Sequence, residues 1–438
     1  MYDETVTEKE TKPEALLIAV DDDSANDFEY MLDEMRSLIE ACDMKVRDTI
    51  VQILENPNPA TYVGKGKLEE VRMNVDAFDV EYVIFADNLS PAQLKNITNE
   101  INCAVFDRTG LILEIFARRA RTIEARLQVE SANLQYMLPR LVGMRTSLGR
   151  QGGASGSMSN KGQGEKQIEL DRRHIEKRLH ELNRELESIE HDRKVQRARR
   201  SKNHTKSVAL VGYTNAGKST IMNYLLKDTN VKEEKQVFEK DMLFATLDTT
   251  VRRIESDDNK DFLLTDTVGF VSNLPHGLVK AFRSTLDEVR YADLLLVVLD
   301  VSDKYCMEQL EVTQNTLSEL ECMDIPKIFV LNKVDRQEVA DADENYAAPP
   351  KVLKESTTIR VSARTGYNME ELVHIIKNEL YRDNETATFL IPYTNGDLIN
   401  LINSEGHVLA TEYIEEGTRI CADVPGWVFG RIKQYIAQ

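Results

Sequence analysis

The chain has 438 residues, of which 42% are hydrophobic and 29% are charged, as in ordinary soluble globular proteins. This length is enough for roughly two to four domains, each with its own core. No run of about 18 apolar residues occurs, which excludes a membrane-spanning helix but leaves peripheral membrane association open. The five cysteines include no CxxC pair, which argues against a zinc site or a disulfide framework. We therefore expect a cytoplasmic protein.

The charge is distributed unevenly, although the net value of −19 alone argues against nucleic-acid binding. Residues 115–150 hold seven arginines against two glutamates, and residues 193–206 hold seven basic residues and no acidic one. Such runs are often solvated helical faces, but arginine also suits two-pronged contacts with phosphate, which favours an RNA backbone. The basic residues are Arg118, Arg119, Arg121, Arg126, Arg140, Arg145, Arg150, Arg193, Lys194, Arg197, Arg199, Arg200, Lys202 and Lys206.

Residues 1–107 are predicted to form a small α/β domain, because apolar strand runs alternate with helical patterns. Ser90 before Pro91 is a good helix start, with a capping side chain ahead of proline at the first helical position. Gly64–Lys67 (GKGK) precedes a helix and could receive an anion or a second nucleotide, but an ordinary turn explains it as well. The strand runs are Ala15–Val20, Val46–Leu54, Tyr82–Ala86 and Ala104–Phe106, and the helical patterns lie near 27–41, 66–75 and 91–100.

Residues 108–202 are predicted to form an antiparallel helical hairpin, a coiled coil with a Gly/Ser-rich tip at residues 149–164. Apolar residues recur with the seven-residue spacing of a coiled-coil seam in the second helix, and at matching spacing in a single first helix. The tip carries Arg150 and Lys161, so it is either a linker or a segment that folds on RNA. The seam residues are Ile112, Phe116, Ala120, Ile123, Leu127 and Leu134, then Ile168, Ile175, Leu179, Leu182, Leu186 and Ile189.

Residues 203–382 are predicted to form a nucleotide-binding domain with a doubly wound, mostly parallel sheet. A buried-strand pattern at Lys206–Val211 leads into a glycine-rich loop, and a helix follows from Ser219, which is the arrangement that phosphate binding requires. Residues 386–438 alternate short strand patterns with a helical stretch near 397–403. This last segment is predicted to be a small α+β domain without catalytic residues.

The loop at residues 212–219 reads GYTNAGKS, a complete Walker A motif. Its glycines let the backbone N–H groups and the helix N-terminus surround phosphates. Lys218 is placed to reach the β and γ phosphates, and the Ser219 hydroxyl is an expected ligand of Mg²⁺. The predicted phosphate-binding residues are Gly212, Tyr213, Thr214, Asn215, Ala216, Gly217, Lys218 and Ser219.

Two further segments have the character of nucleotide switches. In residues 244–248 (FATLD), Thr246 is the candidate second Mg²⁺ ligand, with Thr249, Thr250 or an exposed turn as alternatives. In residues 266–269 (DTVG), Asp266 would hold the Mg²⁺ hydration shell and the Gly269 N–H would meet the γ phosphate. Lys218, Thr246 and Gly269 are therefore the predicted catalytic residues. The switch residues are Phe244, Ala245, Thr246, Leu247, Asp248, Asp266, Thr267, Val268 and Gly269.

Guanine specificity is predicted from residues 332–335 (NKVD), which follow the strand pattern Lys327–Leu331. The Asp335 carboxylate offers two acceptors to the N1–H and N2–H₂ donors of guanine and repels adenine. Asn332 would hold the loop to the ring edge, the Lys333 stem would cover the base, and backbone N–H groups of residues 362–364 would bind the guanine carbonyl. The predicted base-binding residues are Asn332, Lys333, Val334, Asp335, Ser362, Ala363 and Arg364.

Phe270 follows the DTVG segment, at the position where many signalling GTPases carry a glutamine that orients the attacking water. A phenyl ring cannot orient water. We therefore predict slow unassisted hydrolysis that a partner accelerates, an effect worth up to about 10⁵-fold. The alternative is that another side chain of this chain already orients the water.

Most of the distinctive segments of the chain lie outside the generic GTPase signatures. They are Tyr62–Lys67 (YVGKGK), Leu89–Gln93 (LSPAQ), Phe106–Ala117 (FDRTGLILEIFA), Arg119–Glu124 (RARTIE), Leu127–Glu130 (LQVE), Leu138–Leu141 (LPRL) and Gly162–Arg173 (GQGEKQIELDRR), followed by Phe244–Asp248 (FATLD) and Asp266–Phe270 (DTVGF). With these segments the chain resembles the HflX family of translational GTPases over nearly its whole length. Two departures from the family pattern are a longer tip loop without proline at residues 152–169 and the absence of a proline after FATLD.

The resemblance implies a multidomain α/β protein in which a P-loop GTPase domain is joined to an amino-terminal α/β domain with a helical hairpin and to a small carboxy-terminal domain. It further implies a cytoplasmic, monomeric GTPase that uses Mg²⁺ and GTP and binds the large ribosomal subunit and its rRNA in the GTP state. Such a protein splits or rescues stalled ribosomes, with hydrolysis stimulated by the ribosome and the hairpin loop near the peptidyl transferase region. A GTP-dependent regulatory scaffold for protein partners is the alternative from a different functional class.

Overall fold

The computed structural model describes residues 12–22, 28–101, 103–150, 158–202, 205–227, 243–244, 249–256, 258, 260–272, 288–336 and 356–437. The side chains at 142–150, 158–168 and 196–202 lie outside this description, as do the tip residues 151–157. The described residues group into two compact units. Unit 1 contains residues 12–194 and 243–244, and unit 2 contains residues 195–227, 249–272 and 288–437. Within these ranges, no helix is both long and apolar enough to cross a bilayer.

Unit 1 is built on a four-stranded parallel sheet with strand order β2-β1-β3-β4. The central strand β1 is almost entirely apolar and buried on both faces, as parallel strands usually are. The elements are β1 (Glu14–Asp21), α1 (Phe28–Ala41), β2 (Lys45–Ile53), α2 (Lys65–Phe78), β3 (Tyr82–Phe85), α3 (Pro91–Glu100), β4 (Ala104–Phe106), α4 (Arg108–Arg119), α5 (Ile123–Arg150) and α6 (Met158–Lys202), the last of which ends in unit 2.

Helix α3 begins at the predicted position. The Ser90 hydroxyl accepts a hydrogen bond from the Gln93 N–H at 3.2 Å, and the Gln93 side chain accepts one from the Ser90 N–H at 2.9 Å. This reciprocal capping box satisfies two backbone donors that the helix itself leaves without acceptors. Pro91 fits at the first helical position because no N–H is needed there.

The prediction of a single first helix in the hairpin was wrong, because α4 and α5 are separate helices with residues 120–122 between them. The Thr122 hydroxyl accepts a hydrogen bond from the Ala125 N–H at 3.1 Å, so it caps a new helix. Helix α4 packs against α1 and the ends of β3 and β4, with Leu111, Ile115 and Phe116 buried. Ile123, predicted to lie in the seam, is 76% exposed at the start of α5.

Helices α5 and α6 run antiparallel, as predicted. Arg178 makes a two-pronged contact with Glu130 at 2.7 and 2.9 Å, and Arg193 pairs with Glu124 at 2.6 Å. The residue number rises from Glu124 to Glu130 on α5 while that of the partner falls from Arg193 to Arg178 on α6, as antiparallel helices require. The predicted seam is recovered on α6, where Leu182 is fully buried and its neighbours are half-buried, namely Ile175, Leu179, Leu186 and Ile189.

A fully buried carboxylate joins the base of the hairpin to the unit 1 sheet. The Asp107 side chain accepts hydrogen bonds from the Gly110 N–H at 2.8 Å and the Leu89 N–H at 3.1 Å. It also accepts from the Tyr136 hydroxyl at 2.6 Å and the Arg140 guanidinium at 2.8 Å, both on α5. Four donors on three segments therefore converge on one charge, which fixes how α5 leaves the sheet.

Unit 2 contains a six-stranded sheet of order β10-β9-β8-β5-β7-β6, parallel except for β6, and a three-stranded antiparallel sheet of order β11-β13-β12. The short edge strand β6 was not predicted, because its sequence TVRRI has little apolar pattern. The elements are β5 (Lys206–Gly212), α7 (Lys218–Lys227), β6 (Thr250–Ile254), β7 (Phe262–Asp266), β8 (Leu294–Asp300), α8 (Cys306–Glu319), β9 (Lys327–Asn332), β10 (Thr357–Arg360), α9 (Met369–Leu380), β11 (Glu385–Ile391), α10 (Gly396–Glu405), β12 (His407–Ile414), β13 (Gly417–Val424) and α11 (Gly426–Ile432).

The six-stranded sheet is covered on both faces, as a doubly wound sheet requires. Along β5, Val208 and Leu210 face one apolar cluster that includes residues of α7 and α9, whereas Ala209 and Val211 face another that includes residues of α8. This two-residue alternation places every apolar side chain of the strand in a core. Strand β5 lies between β7 and β8, so its carboxyl end opens at the middle of the sheet.

Candidate nucleotide-binding site

The predicted nucleotide motifs meet at one edge of the six-stranded sheet. The glycine-rich loop follows β5, Asp266 ends β7, Asn332 ends β9, and Ser362 lies just after β10. Because these strands are parallel, their carboxyl ends lie at the same edge, where doubly wound sheets bind ligands. These four predicted segments therefore lie at one edge of the sheet.

The glycine-rich loop packs closely against the base-recognition loop. Gly217 has a φ of +98°, and a Cβ atom there would lie 2.2 Å from the Asn332 amide nitrogen, so only glycine fits. The same amide nitrogen donates to the Ala216 carbonyl at 2.9 Å, and the Asn332 side-chain oxygen accepts from the Ala363 N–H at 3.2 Å. Asn332 therefore ties together three loops, in addition to any role at the ring edge.

Lys218 lies in the loop with 6% of its surface exposed. Its ammonium donates to the carbonyl oxygens of Gly212 and Tyr213 at 3.0 and 2.7 Å. Burial lowers the pKa of Lys218 to about 8, although nearby Asp266 opposes the shift. The ammonium is thus held at the mouth of the loop by neutral dipoles, a position from which an anionic phosphate would attract it strongly.

The two predicted ligands of the Mg²⁺ shell lie side by side. The Ser219 hydroxyl donates to the Asp266 carboxylate at 2.7 Å, and Asp266 is fully buried. Hydroxyl and carboxylate oxygens are ligands that Mg²⁺ prefers, so this pair fits a magnesium ion that keeps several waters. Next to it, the Thr267 hydroxyl donates to the Leu210 carbonyl at 2.6 Å and anchors the start of the DTVG segment to β5.

The end of the DTVG segment runs along the glycine-rich loop. A Cβ atom on Gly269 would lie 2.6 Å from the Thr214 methyl group and 3.0 Å from the Lys218 ammonium, so the backbone comes as close as glycine allows. Phe270 is 4% exposed and packs in an apolar cluster with Val211 and Val289. Its ring therefore serves the core, and no polar group at this position is available to orient water.

The predicted base-recognition residues form a hydrogen-bonded corner. The Ser362 hydroxyl donates to the Asp335 carboxylate at 2.6 Å and accepts from the Thr365 N–H at 3.2 Å. The Lys333 ammonium pairs with Asp300 at 2.7 Å, and both side chains are mostly buried. Asp300 was missed by the sequence analysis, although its place at the end of β8 next to β9 could have indicated it. Arg364 is exposed.

Of the first predicted switch, residues 244–248, only Phe244 lies within the described residues. Phe244 is 2% exposed, has a φ of +52°, and packs its ring edge-to-face against Phe116 of α4, with 4.7 Å between ring centroids. Both residues belong to unit 1. The predicted Mg²⁺ ligand Thr246 lies outside the described residues, together with Ala245, Leu247 and Asp248.

A parallel sheet with a glycine-rich loop, a buried lysine, a serine–aspartate pair and an NKVD corner at one edge defines a P-loop GTPase. Comparison with known proteins agrees. The chain matches the family models described as GTP-binding GTPase N-terminal over residues 29–117, GTP-binding GTPase Middle Region over residues 119–200 and 50S ribosome-binding GTPase over residues 207–333.

The chain is also similar over most of its length to proteins named GTPase HflX. It is 39% identical to the Caldanaerobacter subterraneus protein, covering 97% of this chain and 94% of that protein. It is 39% identical to the Escherichia coli protein, covering 84% of this chain and 83% of that protein. A solved GTP-binding protein from Sulfolobus solfataricus, in complex with GDP, shares 24% identity and a TM-score of 0.44, covering 84% of this chain and 98% of that one.

The chain belongs to the HflX family of GTPases. It binds GTP and catalyses its hydrolysis to GDP and phosphate.

Proposed function

We propose that this GTPase binds the large ribosomal subunit and its rRNA in the GTP-bound state and splits or rescues stalled ribosomes. The observation that carries the proposal is the match of residues 207–333 to the model described as 50S ribosome-binding GTPase, within a chain that is related to HflX proteins almost throughout. Residues 1–107, 108–202, 203–382 and 386–438 would then act as the sheet domain, hairpin, GTPase domain and small carboxy-terminal domain of one monomeric factor.

At the nucleotide, Lys218 would bind the β and γ phosphates, and Ser219 and Thr246 would bind Mg²⁺, with Asp266 holding its hydration shell. The Gly269 N–H would bind the γ phosphate and release it after hydrolysis. Bound Mg²⁺ would neutralise charge that develops on the phosphates. The closeness of Ser219, Asp266, Lys218 and Gly269 supports these assignments. Asp335, oriented by Ser362, would select guanine.

Several basic residues of the first run form hydrogen bonds within the protein, which makes them weaker candidates for contact with rRNA. Arg118 and Arg119 donate to the carbonyl oxygens of Cys42 and Ala41, Arg126 donates to that of Ala120, and Arg140 pairs with buried Asp107. These four arginines bind the protein itself. For contact with rRNA we therefore choose Arg145, next to the predicted tip at residues 149–164, and Arg150 and Lys161 within it.

The test is GTP turnover with and without purified large ribosomal subunits, combined with co-sedimentation in a non-hydrolysable GTP analogue. We expect turnover to rise at least about tenfold with subunits, since the phenyl ring of Phe270 cannot orient the attacking water. We also expect binding to weaken steeply between about 50 and 200 mM salt, because contacts with phosphate release counterions. Normal GTP binding without stimulation or co-sedimentation would favour a scaffold that acts on protein partners.

A tip variant sharpens this test. Replacing Arg145, Arg150 and Lys161 by glutamine removes three positive charges from the tip. The matched control replaces three exposed basic residues on the shaft of α6 by glutamine, Arg173, Lys177 and Arg184. We expect the tip variant to lose subunit binding and part of its salt dependence, whereas the control keeps both. Equal loss in the two variants would mean that net charge, and not the tip, attracts the ribosome.

A further inference from the structure

We infer that Tyr213 is a positioning residue for the γ-phosphate switch, because its hydroxyl fastens the end of the DTVGF segment to the glycine-rich loop. Tyr213 is 3% exposed, its backbone pairs with that of Phe270, and its hydroxyl lies against Ser272. The Tyr213 hydroxyl accepts a hydrogen bond from the Ser272 N–H at 2.9 Å and shares another with the Ser272 hydroxyl at 2.8 Å.

Two backbone hydrogen bonds extend this contact. The Phe270 N–H donates to the Gly212 carbonyl at 3.1 Å, and the Thr214 N–H donates to the Phe270 carbonyl at 2.8 Å. Residues 212–214 and 270–272 thus form a short parallel ladder that starts at the last residue of β5 and lies beyond the end of β7; we call it the switch clamp. The two hydroxyl-mediated bonds close the ladder on its far side.

The switch clamp limits where Gly269 can lie. On one side the Thr267 hydroxyl is bonded to the Leu210 carbonyl, and on the other the clamp holds Phe270. Only Val268 and Gly269 lie between these two anchors, and Gly269 lies against Thr214 and the Lys218 ammonium. The N–H group proposed to bind the γ phosphate is therefore held beside the lysine proposed to bind the same phosphate.

Such preorganisation favours GTP over GDP selectively. A segment that is already in place loses little conformational freedom when it binds the γ phosphate, whereas a loose segment must be ordered at that moment. GDP has no γ phosphate, so its affinity depends on the glycine-rich loop but not on the position of Gly269. The ratio of the affinities for a GTP analogue and for GDP is accordingly the quantity that reports on Tyr213.

The experiment compares the full-length parent with Tyr213→Phe, Ser272→Ala and the double variant, measuring affinity for guanosine 5′-(β,γ-imido)triphosphate and for GDP. Tyr213→Phe keeps the buried ring but leaves the Ser272 N–H without its acceptor. We expect the analogue-to-GDP affinity ratio to fall about tenfold in Tyr213→Phe and about threefold in Ser272→Ala. The double variant should match Tyr213→Phe, because both substitutions break the same contact.

The control is Tyr291→Phe, which removes the hydroxyl of an exposed tyrosine in the same unit and should leave both affinities unchanged. Equal weakening of both nucleotides in Tyr213→Phe would indicate a merely structural role in the loop and would overturn the inference. An unchanged ratio, or effects of the two substitutions that add in full, would overturn it as well.

The inference rests on the proposed contact between Gly269 and the γ phosphate. The variant Gly269→Ala distinguishes a failure of that contact from a failure of the inference about Tyr213. If this variant loses the preference for the analogue and Tyr213→Phe does not, the contact stands and the switch clamp is refuted. If Gly269→Ala keeps the preference, both the contact and the inference fail.

Discussion

In the nucleotide site Lys218, Asp266 and Asn332 are at least nine-tenths buried, whereas on the hairpin shaft Arg173 and Lys177 keep 69% and 80% of their side-chain surface exposed. In the first region each polar group has partners fixed by the ends of neighbouring strands. In the second, the exposed charges pair one turn apart along the same helix, in contacts that contribute little to stability. The nucleotide motifs have a fixed spacing, and from them the neighbours of each polar group could be predicted. The number of arginines in the hairpin, by contrast, did not show which of them bind the protein and which face solvent.

The largest expected effect is that of Asp335→Asn, which tests whether the motif in the nucleotide site selects guanine. The amide would oppose the N2–H₂ donor of guanine with a donor of its own, so we expect GTP affinity to fall by about 10⁴-fold. Xanthine nucleotides carry an acceptor at that position, so their affinity for the variant should rise. The measurement is competition between GTP and XTP for the purified protein. Asp324→Asn, on the surface of the same unit, is the matched control, and a variant that still prefers GTP would exclude Asp335 from base recognition.

Asp107→Asn tests whether unit 1 also contains a buried polar centre comparable to the nucleotide site. The amide can still accept from the Gly110 N–H, but it leaves the Arg140 guanidinium without its charged partner. We expect the free energy of unfolding of unit 1 to fall by about 3 kcal/mol, near the lower end for a broken buried pair because Arg140 is 18% exposed. Hydrogen exchange of amides in residues 12–141 measures this.

The control for Asp107→Asn is Asp76→Asn on the exposed side of α2, which should leave exchange unchanged. Exchange rates in Asp107→Asn equal to those of the parent would mean that the negative charge of Asp107 contributes nothing net to stability. Arg140 would then be available to rRNA. The nucleotide site would be the better example of polar side chains fixed by buried partners, and the hairpin the poorer one.

Local patterns predicted most of the fold and the assembly of the nucleotide site, and what they missed depends on distant partners. Strand β5, helix α3 and the seam around Leu182 follow from apolar spacing and capping residues within a few positions. Nothing local shows that Asp107 binds Arg140, 33 residues away, although the two lie in motifs that carried the family resemblance. The pairing of Lys333 with Asp300 also joins residues that are distant in sequence, and only the prediction that β8 and β9 are neighbours could have indicated it.

The smallest expected effect concerns the protonation of Lys218. Its pKa of about 8 lies below the ordinary value of 10.5, so the charged form weakens the folded state. This penalty is fully present below about pH 8 and fades as pH rises towards about 10.5, where the unfolded chain also loses the proton. Bound phosphates favour the charged lysine and should raise its pKa, so nucleotide binding above about pH 8 takes up a proton.

Nucleotide affinity should therefore fall as pH rises above about 8, by at most about tenfold per pH unit. Calorimetric titration with GDP in two buffers of different ionisation enthalpy gives the number of protons taken up, which should be near zero at about pH 7 and approach one at about pH 9. Lys227→Gln, at the exposed end of α7, should behave as the parent does. The same proton number at both pH values would show that the buried ammonium stays charged throughout, so that the carbonyl oxygens of Gly212 and Tyr213 already stabilise it as well as phosphate does.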